Sequence, residues 1–174
     1  MNKLDLYKKP YLIAEIGINH NGSVAIAKKM IDAAKENNFD AVKFQKRDPD
    51  ICVPEDQKYK MRDTPWGNIT YLSYKKKIEL NLNQLTILKN YAKKLKLDFS
   101  ASCFDINSLN LMKRINSFNK IPSAMITNIF FLEQVAKQKK RTFISTGMCE
   151  MKDITKAVNI FKKNKCDYEL MHCV

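Results

Sequence analysis

The residues able to do chemistry sit where short apolar runs are interrupted. Glu15 breaks the run at 11–17, and Lys43 and Gln45 break the run at 41–45. Side chains alternate along a strand, so Lys43 and Gln45 share one face while Val42 and Phe44 share the other. Ile13 and Glu15 pair in the same way. Ser102, Ser123, Ser145 and His172 fall near the downstream ends of four further runs. In parallel α/β proteins that edge is where ligands bind. A carboxylate, a lysine, an amide and several hydroxyls on one rim make a pocket for a small oxyanion and a polyhydroxylated partner. Simpler readings stay open beside this one. Glu15 and Lys43 also fit a buried structural ion pair, the serines fit strand ends or caps, His172 fits a satisfied interior position, and His20 fits a support for its own turn.

Apolar runs alternating with amphipathic stretches position these residues. Strands are predicted over 11–17, 41–45, 97–102, 120–124, 141–146 and 168–173. Between them, Val24, Ala27, Ile31 and Ala34 recur at helical spacing after Ser23, a residue type that caps helices. Further helices are predicted over 83–96, 106–115, 129–137 and around 154–161, and the stretch from 46 to about 82 reads as irregular. Five βα units and a final strand demand parallel strands with right-handed crossovers. Both an open sheet and a TIM-type (β/α)8 barrel satisfy that pattern, and a complete barrel runs to about 250 residues. With 174 residues the chain is expected to supply about the first six strands.

Charge and cysteine content narrow the class. Lys and Arg number 31 against 18 Asp and Glu, a net charge of +13, yet four of those cations are Arg. Few bidentate phosphate contacts are therefore on offer, which argues against a nucleic-acid partner and suits a small anionic substrate equally well. Five scattered cysteines without a C-x-x-C pair point to reduced thiols, a cytoplasmic setting and no structural zinc. No run approaches the roughly 18 apolar residues of a membrane span. No G-x-G-x-x-G or Walker-type loop appears.

The motifs themselves resemble a family. YLIAEIGINHNG at 11–22 resembles the opening of the sialic acid synthases, meaning the N-acetylneuraminate synthases and their legionaminate and pseudaminate relatives. DAVKFQ at 40–45, KIPS at 120–123 followed by Thr127 and Asn128, ISTGM at 144–148 and LMHC at 170–173 keep that family's order. The resemblance implies a transferase that condenses phosphoenolpyruvate with an open-chain N-acetylated amino sugar, giving a nine-carbon 2-keto sugar acid and phosphate. It implies that Ser102, Lys120, Ser123 and Ser145 hold phosphoenolpyruvate, that Lys43 lies between the substrates, and that Glu15, Gln45 and Phe104 face the sugar. Glu15 and Lys43 are the implied catalytic pair. The segment with TPWG at 64–67 and YLSY at 71–74 resembles a loop that covers the sugar in some members.

The resemblance also implies a divalent metal, Mn2+ or Mg2+, whose histidine ligands would lie beyond Val174. Residues 1–174 are accordingly expected to form the N-terminal part of the synthase barrel, without the family's C-terminal antifreeze-like domain. A complementary C-terminal polypeptide or a homodimer would complete the site. Met125 stands where many members carry Glu, which weakens an acid–base role there. Lys120 and Ser123 are three apart, so a regular strand would not turn both to one face. Two other functions compete: a Schiff-base aldolase using Lys43 or Lys120, and a basic, non-catalytic binding module.

Overall fold

The computed structural model describes residues 9–173. β1 (Ile13–Gly17) leads to Ser23, whose hydroxyl accepts the Ile26 N–H at 3.3 Å and so starts α1 (Val24–Glu36). Ala27, Ile31 and Ala34 are the buried stripe of that helix, at the spacing the sequence shows. β2 (Ala41–Lys46) follows. Next come α2 (Pro49–Cys52), α3 (Glu55–Lys58), β3 (Met61–Thr64), β4 (Gly67–Thr70) and α4 (Tyr71–Ile78). Alternation then resumes with α5 (Leu82–Lys94), β5 (Asp98–Cys103), α6 (Ile106–Met112) and β6 (Asn119–Ile121). It ends with α7 (Ile129–Ala136), β7 (Thr142–Ser145), α8 (Met151–Lys163) and β8 (Tyr168–Met171).

Two expectations are corrected. The stretch from 46 to 82 is ordered: β3 and β4 form an antiparallel hairpin, and α4 is capped by Thr70, which accepts the Ser73 N–H at 3.3 Å. Its short elements lack the long apolar periodicity by which helices are read. The strand expected over 120–124 ends at Ile121, because Pro122 has no N–H for the ladder and Ser123–Met125 turns into a 3-10 helix. The helix expected around 154–161 is α8, which starts at Met151, where the Asp153 carboxylate accepts the Glu150 N–H at 3.2 Å.

The six longer-range strands are all parallel, paired in the order β1-β2-β5 and β6-β7-β8. Side chains complete the seam between the two sets. The Asn116 amide accepts from Ala101 N at 2.8 Å and donates to Ala101 O at 2.9 Å, doing the work of a paired residue. The Ser117 N–H reaches Phe99 O at 2.8 Å and the Ser100 hydroxyl reaches Phe118 O at 2.6 Å. Among the described residues the strands do not close on themselves.

The strands divide two environments. Val42, Phe44, Phe99, Ala101 and Ile144 join the helix-facing core. Ala41, Phe118 and Phe143 form a second cluster with Tyr11, Ile13 and Met171. Lys43 and Ser145 lie two positions beyond Ala41 and Phe143 on the same inward face, and Ser102 pairs with Gln45 of that face. With only four glycines in the chain, the left-handed turns that end α1, α5, α7 and α8 fall to Asn38, Lys96, Lys139 and Lys165. No helix of the described residues is long and apolar enough to cross a membrane.

Candidate functional site

Register builds the centre of the site. Lys43 lies opposite Glu15 of β1 and Ser100 of β5, and Gln45 lies opposite Ser102. The Lys43 ammonium pairs with Glu15 Oε2 and reaches the Ser102 hydroxyl at 3.5 Å. Lys43 is buried while the Glu15 carboxylate is half exposed. Burial first, and the Lys120 charge second, pull the Lys43 ammonium down, to about 7. The paired Glu15 carboxylate pulls the other way and favours the protonated form. The ion-pair reading and the site reading of these two residues thus describe the same geometry.

A second cluster faces the first from β6, β7 and the end of β8. The Lys120 ammonium donates to the Ser145 hydroxyl and to Ile121 O, the latter at 3.1 Å. Burial lowers its pKa as well. Ser123 reaches this cluster because the strand has already ended: its hydroxyl accepts the Gly147 N–H at 3.1 Å. A Cβ at Gly147 would meet Ser123 Oγ at 2.9 Å and Cys173 Cβ at 3.2 Å, so close approach requires glycine there. Burial alone would raise the Cys173 thiol, but the Ser145 hydroxyl, the Thr146 N–H, the Lys120 charge and the Ser123 hydroxyl together hold it below the usual range.

Lys43, Ser102, Lys120, Ser123 and Ser145 are therefore brought together, with Glu15 and Gln45 on one side. Phe104 joins through Arg47, whose guanidinium lies 4.5 Å over the ring and donates to Gln45 Oε1. Arg47, Glu79 and Cys173 were not singled out from the sequence as site residues. Arg47 and Glu79 are 32 apart along the chain, with no motif linking them. His172 is exposed, contrary to an interior reading. His20 is buried and accepts the Gly22 N–H at 3.0 Å on Nδ1, supporting its own turn while packing on Phe44. Met125 packs on the helix-facing core and lines an apolar recess of about 260 Å3 with Ile51, Phe104, Ile106 and Phe131.

A cavity of about 520 Å3 opens at the opposite ends of the strands, beside Lys9, Lys35, Asp40, Lys93 and Asp98. Lys35 and Lys93 lie in the last turns of α1 and α5, where cations offset the negative helix ends. That cavity stands apart from the lysine–serine cluster. The metal implied by the resemblance finds no donor set here: among the described residues no three His, Cys, Asp or Glu side chains converge. Glu15 offsets the Lys43 charge, while the Lys120 ammonium bonds to the neutral Ser145 hydroxyl and Ile121 O. The buried Lys43 and the half-buried Lys120 whose charge acts on it, framed by three hydroxyls, favour a bound anion.

Residues 30–174 match the sequence pattern of the NeuB family. The chain is 35% identical over 173 residues to the N,N'-diacetyllegionaminic acid synthase of Campylobacter jejuni, covering 95% of this chain and 52% of that protein. It is 39% identical over 169 residues to the N-acetylneuraminate-9-phosphate synthase of Drosophila melanogaster, covering 94% and 45% respectively. The N-acetylneuraminic acid synthetase of Leptospira borgpetersenii, solved with citrate, superposes with a TM-score of 0.85 at 32% identity, over 96% of this chain and 55% of that one. The chain thus spans about half the length of these relatives.

Proposed function

The chain belongs to the NeuB family, and on that premise we propose that it carries the phosphoenolpyruvate side of a sialic-acid-type synthase. The reaction joins phosphoenolpyruvate to an N-acetylated amino sugar. The enol carbon attacks the sugar aldehyde, water adds at C2, and the tetrahedral intermediate loses phosphate by C–O cleavage. Carbon–carbon bond formation, one water consumed and one phosphate released balance the equation.

In this reading Lys120, Ser102, Ser123 and Ser145 hold the carboxylate and phosphate of phosphoenolpyruvate. Lys43 lies between the substrates and offsets charge as the aldehyde oxygen becomes an alkoxide. Glu15, Gln45 and Phe104 bind the sugar. The observation that carries the reading is the buried Lys43 and the half-buried Lys120, each reaching a serine hydroxyl, Ser102 and Ser145. The curl that brings Tyr11 onto Phe143 supports reading residues 1–174 as the N-terminal portion of a TIM-type barrel. The exposed outer edges of β1 and β8 suit further strands, supplied by polypeptide continuous with this sequence or separate from it. All five cysteines are free thiols, which supports a cytoplasmic setting.

Isothermal titration of phosphoenolpyruvate into the chain tests this. Saturable binding that weakens at least tenfold in Lys120→Met is expected, and no binding by the unsubstituted chain would overturn it. One observation favours a second reading. A lysine drawn down to about 7, as Lys43 is by burial and Lys120, is the kind that forms imines. Borohydride trapping with pyruvate separates the two, because the synthase chemistry passes through no imine.

A further inference from the structure

We propose that Arg47 is a positioning residue that decides which end of the Gln45 amide faces the recess, presenting an N–H donor beside the Glu15 carboxylate to a single substrate hydroxyl. This rests on the reading of Glu15 and Gln45 as sugar contacts. Arg47 follows β2 directly, and its Nη2 donates to Gln45 Oε1. A guanidinium has donors only, so the amide oxygen has to face it and the amide nitrogen has to face away. That nitrogen and a Glu15 oxygen stand over the same residue: a Cβ built on Gly17 would lie 3.5 Å from Gln45 Nε2 and 3.2 Å from Glu15 Oε1. A hydroxyl seated there accepts from Gln45 and donates to Glu15. Either group alone would accept many polar partners, whereas the pair selects a hydroxyl.

Arg47 is itself held on several sides. Its Nε lies 3.2 Å from Glu79 Oε1, and Glu79 Oε2 accepts the Arg47 N–H at 3.3 Å and the Lys46 ammonium at 3.1 Å. The guanidinium carbon sits 4.5 Å from the Phe104 ring centre. Side-chain exposure is 14% for Arg47 and 7% for Glu79, so both are withdrawn from solvent. Glu79 also closes the base of the segment from α2 to α4 against the end of β2. A salt bridge serving only that closure would be complete with Lys46 and Glu79. The guanidinium edge turned to Gln45 adds something closure does not need.

The test uses the full chain, labelled with 15N, with the Gln45 side-chain amide signals identified by their loss in Gln45→Ala. Arg47→Met is expected to shift and broaden that amide pair while the rest of the spectrum holds. It should also weaken binding of 2-acetamido-2-deoxymannose about tenfold and leave phosphoenolpyruvate binding within twofold. Arg47→Lys keeps the charge at the Glu79 site but loses the fork. It should retain the fold, so a free Gln45 amide and weakened sugar binding there exclude simple unfolding. An unchanged Gln45 amide in both variants, or equal losses for both ligands, would overturn the proposal. Absence of sugar binding by the unsubstituted chain would overturn the sugar reading, and the amide signals report on Arg47 independently of it.

Discussion

Tyr11, just ahead of β1, stacks on Phe143 of β7 with ring centroids 6.1 Å apart and planes 6° apart. In a flat sheet, four strand steps of about 4.8 Å would hold β1 and β7 roughly 19 Å apart. The contact therefore measures how far the strands curl. Arg141 covers both rings, and Phe118 meets Phe143 edge-on at 5.3 Å. The lysine–serine cluster lies further along the same inward faces, so this aromatic plug is the floor under the candidate site.

If the stack maintains the curl, Phe143→Ala should cost about 3–5 kcal/mol in denaturant unfolding. A double-mutant cycle with Tyr11→Ala should return a coupling of about 0.5–1.5 kcal/mol. Additive single-mutant effects would show that the rings merely fill space.

Lys43 is pulled down by burial and Lys120, and Glu15 opposes that pull. In Glu15→Gln the opposition is gone, so Lys43 should titrate lower than in the unsubstituted chain, read from its side-chain 13Cε shift. The sign for stability follows. Between about 7 and the ordinary lysine value of 10.5 the unfolded chain holds a proton that the folded one has lost. Unfolding free energy of this variant should therefore rise with pH across that window, by at most about 1.4 kcal/mol per unit. Adding Lys43→Met should flatten the rise.

Gly147 gives Ser123 its place. In Gly147→Ala the new methyl would lie 2.9 Å from Ser123 Oγ and 3.2 Å from Cys173 Cβ. Phosphoenolpyruvate affinity should fall about tenfold by calorimetry, against a change in thermal midpoint of only a few degrees. Unaltered affinity would remove Ser123 from the anion site.

Lys96 turns α5 into β5 with φ at 59°, and Leu97 N bonds back to Ala92 O at 3.0 Å. A side chain in that conformation costs about 1 kcal/mol. Lys96→Gly should therefore stabilise the chain by about 0.5–1 kcal/mol in urea, while Lys96→Val should destabilise it.

The six parallel strands and the helices of α1, α5 and α7 were legible because burial has a period. Val42 and Phe44 face helices while Lys43 and Gln45 do not, and that alternation can be read before any fold is known. Motif order likewise pointed to Lys43, Ser102, Lys120, Ser123 and Ser145. The hairpin and short helices between 46 and 82 were not legible, because they are set by capping and turn contacts such as Thr70 with Ser73 rather than by apolar spacing.

The sequence by itself determined which residues alternate inward and therefore which side chains compete for one rim. Tertiary structure alone decided how they meet. Pro122 had to end β6 before Ser123 could turn toward Gly147 and share a cluster with Lys120. Glu79 had to return across 32 positions before Arg47 could be fixed against Gln45. Such contacts depend on long-range closure and on burial that shifts charge, and neither leaves a local period along the chain.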